Sequence, residues 1–224
     1  MTKTTLFLLT ITALLLTACT APLAITPPVA SPSSTEPVSN PASASPPQTA
    51  APILLPISVY ILDDETGVYS SARTVDEVET ILANANEIWS QAGIELDVQS
   101  VQRLTVPTSA LEGIGRGEFS SFFRTAGVDF NIPDLSLING FYVRAIGGPN
   151  GIAPSGTRTF FVMDEPSVHD ERVTAHEIGH ILGLHHTLED RNRLLYPGTN
   201  GMSLTEEESV VARYVAQGLL AGVR

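Results

Sequence analysis

Cysteine and lysine are almost absent from this chain, which has one cysteine, Cys19, and one lysine, Lys3. A single cysteine excludes an intramolecular disulfide. Residues 57–224 contain no lysine. Their eleven arginines are outnumbered by twenty-three aspartates and glutamates. Nucleic acid and anionic lipid surfaces are poor partners for so acidic a segment. We therefore expect no nucleic-acid partner, and we expect a monomer.

Long apolar runs are also missing, apart from one close to the N terminus. Lys3 precedes an apolar run over residues 6–16, and Cys19 closes the short stretch of small residues that follows. The run is too short to span a bilayer comfortably, and this order of residues predicts a signal peptide, residues 1–18. The tetrad Leu-Thr-Ala-Cys resembles the lipobox of bacterial lipoproteins. The resemblance implies a lipid anchor on Cys19.

The expected location follows from this lipobox resemblance. Membrane attachment would depend on the acyl chains of Cys19 alone, and several acyl chains hold a protein firmly. Thr20 stands where enterobacterial lipoproteins retained in the inner membrane commonly have aspartate. We therefore expect an exported protein of the cell envelope, in the outer membrane or at the cell surface. An ordinary signal peptide with an incidental cysteine is the alternative.

Residues 19–56 are dominated by proline, serine, alanine and threonine, and Glu36 is their only charged residue. Such a composition buries too little apolar surface to offset the entropy of ordering, so we predict a disordered tether. In polyproline II geometry it would reach roughly 100 Å. A proline-rich ligand for a partner is the alternative. Residues 57–224 then form one folded domain, as the chain length favours.

The pattern of residues 57–224 predicts an α+β domain. Residues 57–62 have the composition of a strand. Thr74 and Glu77 match a capping box, and helical spacing of apolar residues continues from there until Gly93. Further strands are predicted at residues 94–98, 137–146 and 159–163, with a short helix at residues 119–124 and a last helix that begins after Thr205.

The candidate functional residues of the chain are concentrated in one histidine motif, residues 176–186. His176 and His180 are four residues apart, so on a helix both imidazoles face the same side. Gly183 can adopt positive φ and end that helix abruptly, which returns the chain toward the two imidazoles at His186. Three imidazoles suit Zn²⁺ and leave a fourth position open for water, within reach of Glu177. The spacing predicts a catalytic zinc site with Glu177 as general base.

This HExxHxxGxxH segment resembles the metzincin clan of zinc peptidases, especially its small matrixin-like bacterial members. The resemblance implies a twisted mixed β-sheet, a long N-terminal helix, an active-site helix and a C-terminal helix. It also implies an antiparallel edge strand at the rim of the substrate cleft. Residues 137–146 or the glycine-rich residues 147–156 are the candidates for that strand.

One segment departs from the metzincin pattern. Metzincins have a methionine turn beneath the metal, and residues 194–198 of this chain correspond to it with Leu195 at the methionine position. Leucine has a similar volume, so we expect a modest cost in packing and no loss of metal. Met202 is the alternative if the loop has another register. Tyr196 is expected to be structural, with a place in the pocket or near the oxyanion as the alternative.

The predicted function is therefore that of a zinc metalloendopeptidase, in which zinc-activated water is deprotonated by Glu177. A zinc amidohydrolase acting on amides outside the protein backbone and a catalytically idle surface interaction module are the alternatives. His185 lies one position outside the motif, and we expect it to support the site or face solvent. His169 precedes two acids at the start of a helix, so we expect capping or solvation there.

Overall fold

The computed structural model describes residues 51–129 and 137–222, and for residues 125–129 it describes the backbone alone. The predicted signal peptide, Cys19 and most of the predicted tether lie outside the described residues. No helix within the described ranges is both long enough and apolar enough to cross a membrane. Strand β1 begins at Ile53, ahead of the predicted domain start at Ile57.

In the part of the chain that the structure describes, a five-stranded sheet with helices on both faces forms the domain. The strands are β1 (Ile53–Asp64), β2 (Ile94–Val106), β3 (Ile138–Val143), β4 (Gly151–Ile152) and β5 (Thr159–Met163). Their order in the sheet is β2-β1-β3-β5-β4. Strands β2, β1, β3 and β5 pair in parallel, whereas β4 pairs antiparallel with β5 at one edge. The predicted α+β class and mixed sheet are confirmed, and residues 147–156 supply the antiparallel edge strand.

Within the described residues five α-helices accompany the sheet, and a 3₁₀ turn over Ser90–Ala92 follows the first. They are α1 (Val75–Trp89), α2 (Thr108–Gly115), α3 (Phe119–Asp129), α4 (Asp170–Ile181) and α5 (Glu206–Leu220). The predicted start of α1 is confirmed: the Thr74 hydroxyl accepts from the Glu77 N–H at 3.2 Å, and the Glu77 carboxylate accepts from the Thr74 N–H at 2.7 Å. Gly93 has φ 60° where the chain leaves the 3₁₀ turn for β2.

The sheet has a hydrophobic core on each face. Strand side chains alternate in direction, so Val59 and Ile61 of β1 enter one core while Tyr60 and Leu62 enter the other. The first core contains the buried faces of α1, α4 and α5. The second contains α2, α3 and a cluster of aromatic rings, with ring centroids 5.0 to 5.4 Å apart among Phe122, Phe141 and Phe161.

Strand β2 and helix α2 differ most from the sequence prediction. Strand β2 continues to Val106, although apolar alternation ends at Val98, because it is an edge strand with mostly polar, solvent-facing residues in its second half. Helix α2 was not predicted, since it contains two glycines, which have low helix propensity. It forms because burial of Ala110, Leu111 and Ile114 in the second core compensates for that propensity.

Candidate metal centre

Helix α4 and the turn after it bring the three motif histidines together. His176 and His180 lie one turn apart on α4, so their rings leave the helix on the same side. Gly183 then takes φ 81°, and the Leu184 N–H donates to the Gly179 carbonyl at 2.9 Å, which reverses the chain. This reversal carries His186 back over the helix. The predicted role of the glycine is therefore confirmed by its conformation.

The distances between the imidazole nitrogens fit a tetrahedral metal ion. The Nε2 atom of His186 lies 3.1 Å from Nε2 of His176 and 3.2 Å from Nε2 of His180. The ligand atoms of all three residues lie within 4.8 Å of one another. Two nitrogens that each bind zinc at 2.0 to 2.1 Å in tetrahedral geometry are about 3.4 Å apart. The donor set and its spacing therefore fit Zn²⁺.

Backbone carbonyls fix the orientation of both helix histidines. Nδ1 of His176 lies 2.7 Å from the Leu194 carbonyl oxygen, and Nδ1 of His180 lies 3.0 Å from the Leu184 carbonyl oxygen. A proton on each Nδ1 leaves Nε2 free as the ligand atom. Burial lowers the pKa of His176 to about 3, so this imidazole is neutral, which is the form that binds metal.

Glu177 lies between the metal centre and the edge strand. Glu177 is only 6% exposed, and this burial raises the pKa of its carboxyl to about 8. The positive charge of Arg172 and a hydrogen bond from the Ala153 backbone act to lower that pKa. A divalent cation on the three histidines would favour the charged carboxylate. Strand β4 packs closely here: a Cβ on Gly151 would lie 2.8 Å from Cγ of Glu177.

A cleft of about 1540 Å³ opens over these residues. Its lining includes the loop containing β4 and the stretch after it, residues 197–198, and Tyr214, Val215 and Leu219 of α5. His176, Glu177 and His180 line the cleft. The candidate metal and the carboxylate are thus accessible to a ligand in the cleft.

Leu195 packs against helix α4 at Gly179. It is fully buried, and a Cβ on Gly179, between His176 and His180, would lie 3.2 Å from its Cδ2 atom. Met202 lies elsewhere, half-buried against the first core. Tyr196 is half-buried, with the Arg191 guanidinium carbon 5.9 Å from its ring centroid. A structural role stays the prediction for Tyr196, and a place in the pocket or near the oxyanion stays its alternative.

The other two histidines stand apart from the three converging imidazoles. His169 precedes α4 as its N-cap residue without a side-chain cap, and its backbone N–H donates to Oδ1 of Asn200 at 2.8 Å. His185 is exposed at the edge of the cleft. Neither belongs to the group of potential metal ligands identified in the described part of the chain.

Sequence reasoning overlooked Arg172, a buried residue beside the centre. Its guanidinium donates to the Leu194 carbonyl at 2.8 Å and also to the Tyr196 carbonyl. Burial lowers the pKa of Arg172, and the nearby Glu177 carboxylate raises it. One signal was available: Arg172 precedes His176 by four residues, which places both side chains on the same face of α4.

Three imidazoles on a helix and its returning turn, a neighbouring glutamate, and a mixed sheet with an antiparallel edge strand together define a metzincin-like metallopeptidase domain. The sequence agrees with that assignment. The model of the matrixin family matches residues 60–210, more than half of the chain, and the chain belongs to this family.

Solved structures give weaker similarities. Metalloproteinase-II from Bacteroides fragilis is 15% identical with a TM-score of 0.45, and the match covers 76% of this chain and 55% of that one. A chaperone-substrate complex is 11% identical with a TM-score of 0.44, and covers 79% of this chain and 36% of that one. The chain thus spans about half the length of the first. No curated protein sequence matches. The family assignment rests on the sequence match.

Proposed function

We propose that this protein is a zinc-dependent metalloendopeptidase that cleaves internal peptide bonds of extended protein segments. The observation that carries the proposal is the convergence of three Nε2 atoms beside a buried glutamate in an open cleft. Membership of the matrixin family supports the same class.

Zinc is the metal that we assign to His176, His180 and His186. Neutral imidazoles are common zinc ligands, and three protein ligands are typical of catalytic sites, where one position stays open. When bound, zinc supplies Lewis acidity, which lowers the pKa of water to about 7 and polarises a carbonyl oxygen.

Glu177 is the group that we assign to proton transfer. It follows His176 directly, and it packs against β4, where a Cβ on Gly151 would lie 2.9 Å from its Oε1 atom. As a base it takes a proton from the water that attacks the peptide carbonyl. As an acid it then delivers that proton to the leaving amide nitrogen, so that it ends the cycle in its initial state.

Strand β4 is the feature that favours a peptide over another amide. One edge of β4 pairs with β5, and β4 is the last strand of the sheet in the described residues, so its other edge is unpaired there. Residues 148–158, which contain β4, line the cleft. An extended peptide can add to such an edge through backbone hydrogen bonds. Pairing with β4 would lay its scissile bond across the histidines.

A direct test combines zinc analysis with cleavage of an unstructured protein such as casein. It compares the full chain with Glu177→Gln and with Glu171→Gln, a control substitution on the same helix that does not line the cleft. We expect stoichiometric zinc in all three proteins. Cleavage should fall by about 10² to 10⁴-fold in Glu177→Gln alone, as expected for a lost general base.

Other outcomes would identify what is wrong with the proposal. Full cleavage by Glu177→Gln would reject the assignment of Glu177 as general base. A wild-type protein that binds no zinc would reject the assignment of the metal. Zinc without cleavage in the wild type would favour an amidohydrolase with another substrate, or an interaction module.

We also propose that the protein acts outside the cytoplasm, as a monomer attached to the cell envelope through lipid on Cys19. The support is the lipobox-like tetrad that ends at Cys19. Metabolic labelling with a fatty acid should label the wild type and leave Cys19→Ser unlabelled. Equal labelling of both proteins would reject the anchor without affecting the assignment of the metal centre.

A further inference from the structure

Arg172 is an unusual residue to find beside a metal centre. Only 4% of its surface is exposed, and it lies one helical turn before the first candidate zinc ligand, His176. Burial of a guanidinium is costly unless hydrogen bonds replace its hydration. Its partners are the backbone carbonyls of Leu194 and Tyr196, both in the turn beneath the histidines.

One of these carbonyls is shared with the metal centre. The Leu194 oxygen accepts from Arg172 Nη2 at 2.8 Å and lies 2.7 Å from Nδ1 of His176. A carbonyl oxygen has two lone pairs, so it can accept both hydrogen bonds at once. Arg172 therefore contacts the same atom that orients the His176 imidazole.

The apolar residue of the turn cannot replace this contact. Leu195 packs against the helix at Gly179, but an aliphatic side chain has no donor with which to direct a carbonyl. The turn has backbone bonds of its own: the Leu194 N–H donates to Ser203, and the Leu195 carbonyl accepts from Thr187. These bonds leave the direction of the Leu194 oxygen to Arg172 and His176.

We propose that Arg172 is a positioning residue that orients the His176 imidazole toward the metal by holding the Leu194 carbonyl. It thereby sets the metal affinity of the site. The inference rests on the part of the proposed function that assigns zinc to His176, His180 and His186. It does not depend on which bond the protein cleaves.

Three full-chain variants test the proposal. Arg172→Met has similar length and no donor, while Arg172→Lys keeps the charge without the planar fork. Arg213→Met is the matched control, because Arg213 also donates to two backbone carbonyls, those of Ala92 and Gly93 at 2.9 and 2.8 Å, outside the metal centre.

The readouts are zinc affinity from competition with a chelator, the visible absorption of the Co²⁺-substituted protein, and thermal unfolding of the metal-free protein. We expect Arg172→Met to bind zinc about 10 to 100-fold more weakly, the range for lost partners of ligating histidines, with an altered Co²⁺ spectrum. Arg172→Lys should lie between Arg172→Met and the wild type. Arg213→Met should keep wild-type affinity and spectrum even if its melting temperature falls.

Wild-type affinity and spectrum in either Arg172 variant would overturn the proposal, and so would an equal loss of affinity in Arg213→Met. If Arg172→Met does not fold, Arg172→Lys decides by the same criteria. A wild-type protein that binds zinc but cleaves nothing rejects the proposed peptidase and leaves this inference standing. A wild-type protein that binds no zinc rejects both.

Discussion

The helices on the two faces of the sheet are packed by different kinds of side chain. The face with α2 and α3 is joined by aromatic rings, as in the stacked pair of Phe141 and Phe161 with centroids 5.0 Å apart. The face with α1, α4 and α5 is mainly aliphatic, and around the candidate metal centre it adds buried polar contacts such as those of Arg172. Stability and chemistry are therefore expected to respond to different substitutions.

Removal of the metal should have the largest effect on peptide cleavage, and its structural effect should be confined to the α4 face. His180→Ala leaves two imidazoles, so we expect loss of stoichiometric zinc and of all peptide cleavage. Zinc at a hundredfold above its Kd stabilises the folded state by about 2.7 kcal/mol, so a chelator should destabilise the wild type and leave His180→Ala unchanged. Urea unfolding with and without chelator measures both. A chelator effect of equal size in His180→Ala would contradict the ligand assignment.

Truncation of an aromatic side chain on the other face should have the opposite pattern, a loss of stability with zinc binding retained. Phe141 is fully buried and contacts rings on both neighbouring strands and on α3. Phe141→Ala should therefore lower the free energy of unfolding by about 3 to 5 kcal/mol, measured in urea. At temperatures where it remains folded, zinc stoichiometry should match that of the wild type. Loss of zinc from the folded variant would show that the two faces are coupled.

Gly151→Ala probes the contact between the edge strand and the general base. A Cβ there would lie 2.8 Å from Val173 Cγ1 and 2.9 Å from Glu177 Oε1, so β4 or the carboxylate must move. A displacement of about 1 Å can reduce catalysis by about 10²-fold, and we expect a fall of that size in kcat/KM with zinc retained. Steady-state kinetics on a peptide substrate measure it.

Gly115→Ala is the matched control for Gly151→Ala. Gly115 ends α2, and an added Cβ there meets nothing within 4 Å. Alanine at a compatible position stabilises by about 0.4 to 1 kcal/mol, so kcat/KM should stay unchanged and stability should rise slightly. An equal loss of activity in both variants would attribute the effect to the backbone in general.

The sequence signals that succeeded are local ones. The capping box at Thr74 and the positive φ of Gly183 depend on residues within one turn of each other, and both occur as predicted. Arg172 was overlooked because its partners are backbone carbonyls of residues 194 and 196, which leave no trace in residue identity. Likewise α2 depends on burial against a distant sheet, which composition alone does not reveal.

Leu195→Met should have the smallest effect, and it tests how much the α4 face depends on this one side chain. Leucine already fills the space beneath the helix, with its Cδ2 atom close to Gly179. Exchange of two side chains of similar volume usually costs less than about 1.5 kcal/mol, so zinc affinity and kcat/KM should stay near those of the wild type. Leu195→Ala, which leaves a cavity, should cost about 2 to 5 kcal/mol in urea unfolding. A large gain in zinc affinity for Leu195→Met would mean that leucine distorts the centre, and the role assigned to Arg172 would then have to be reconsidered.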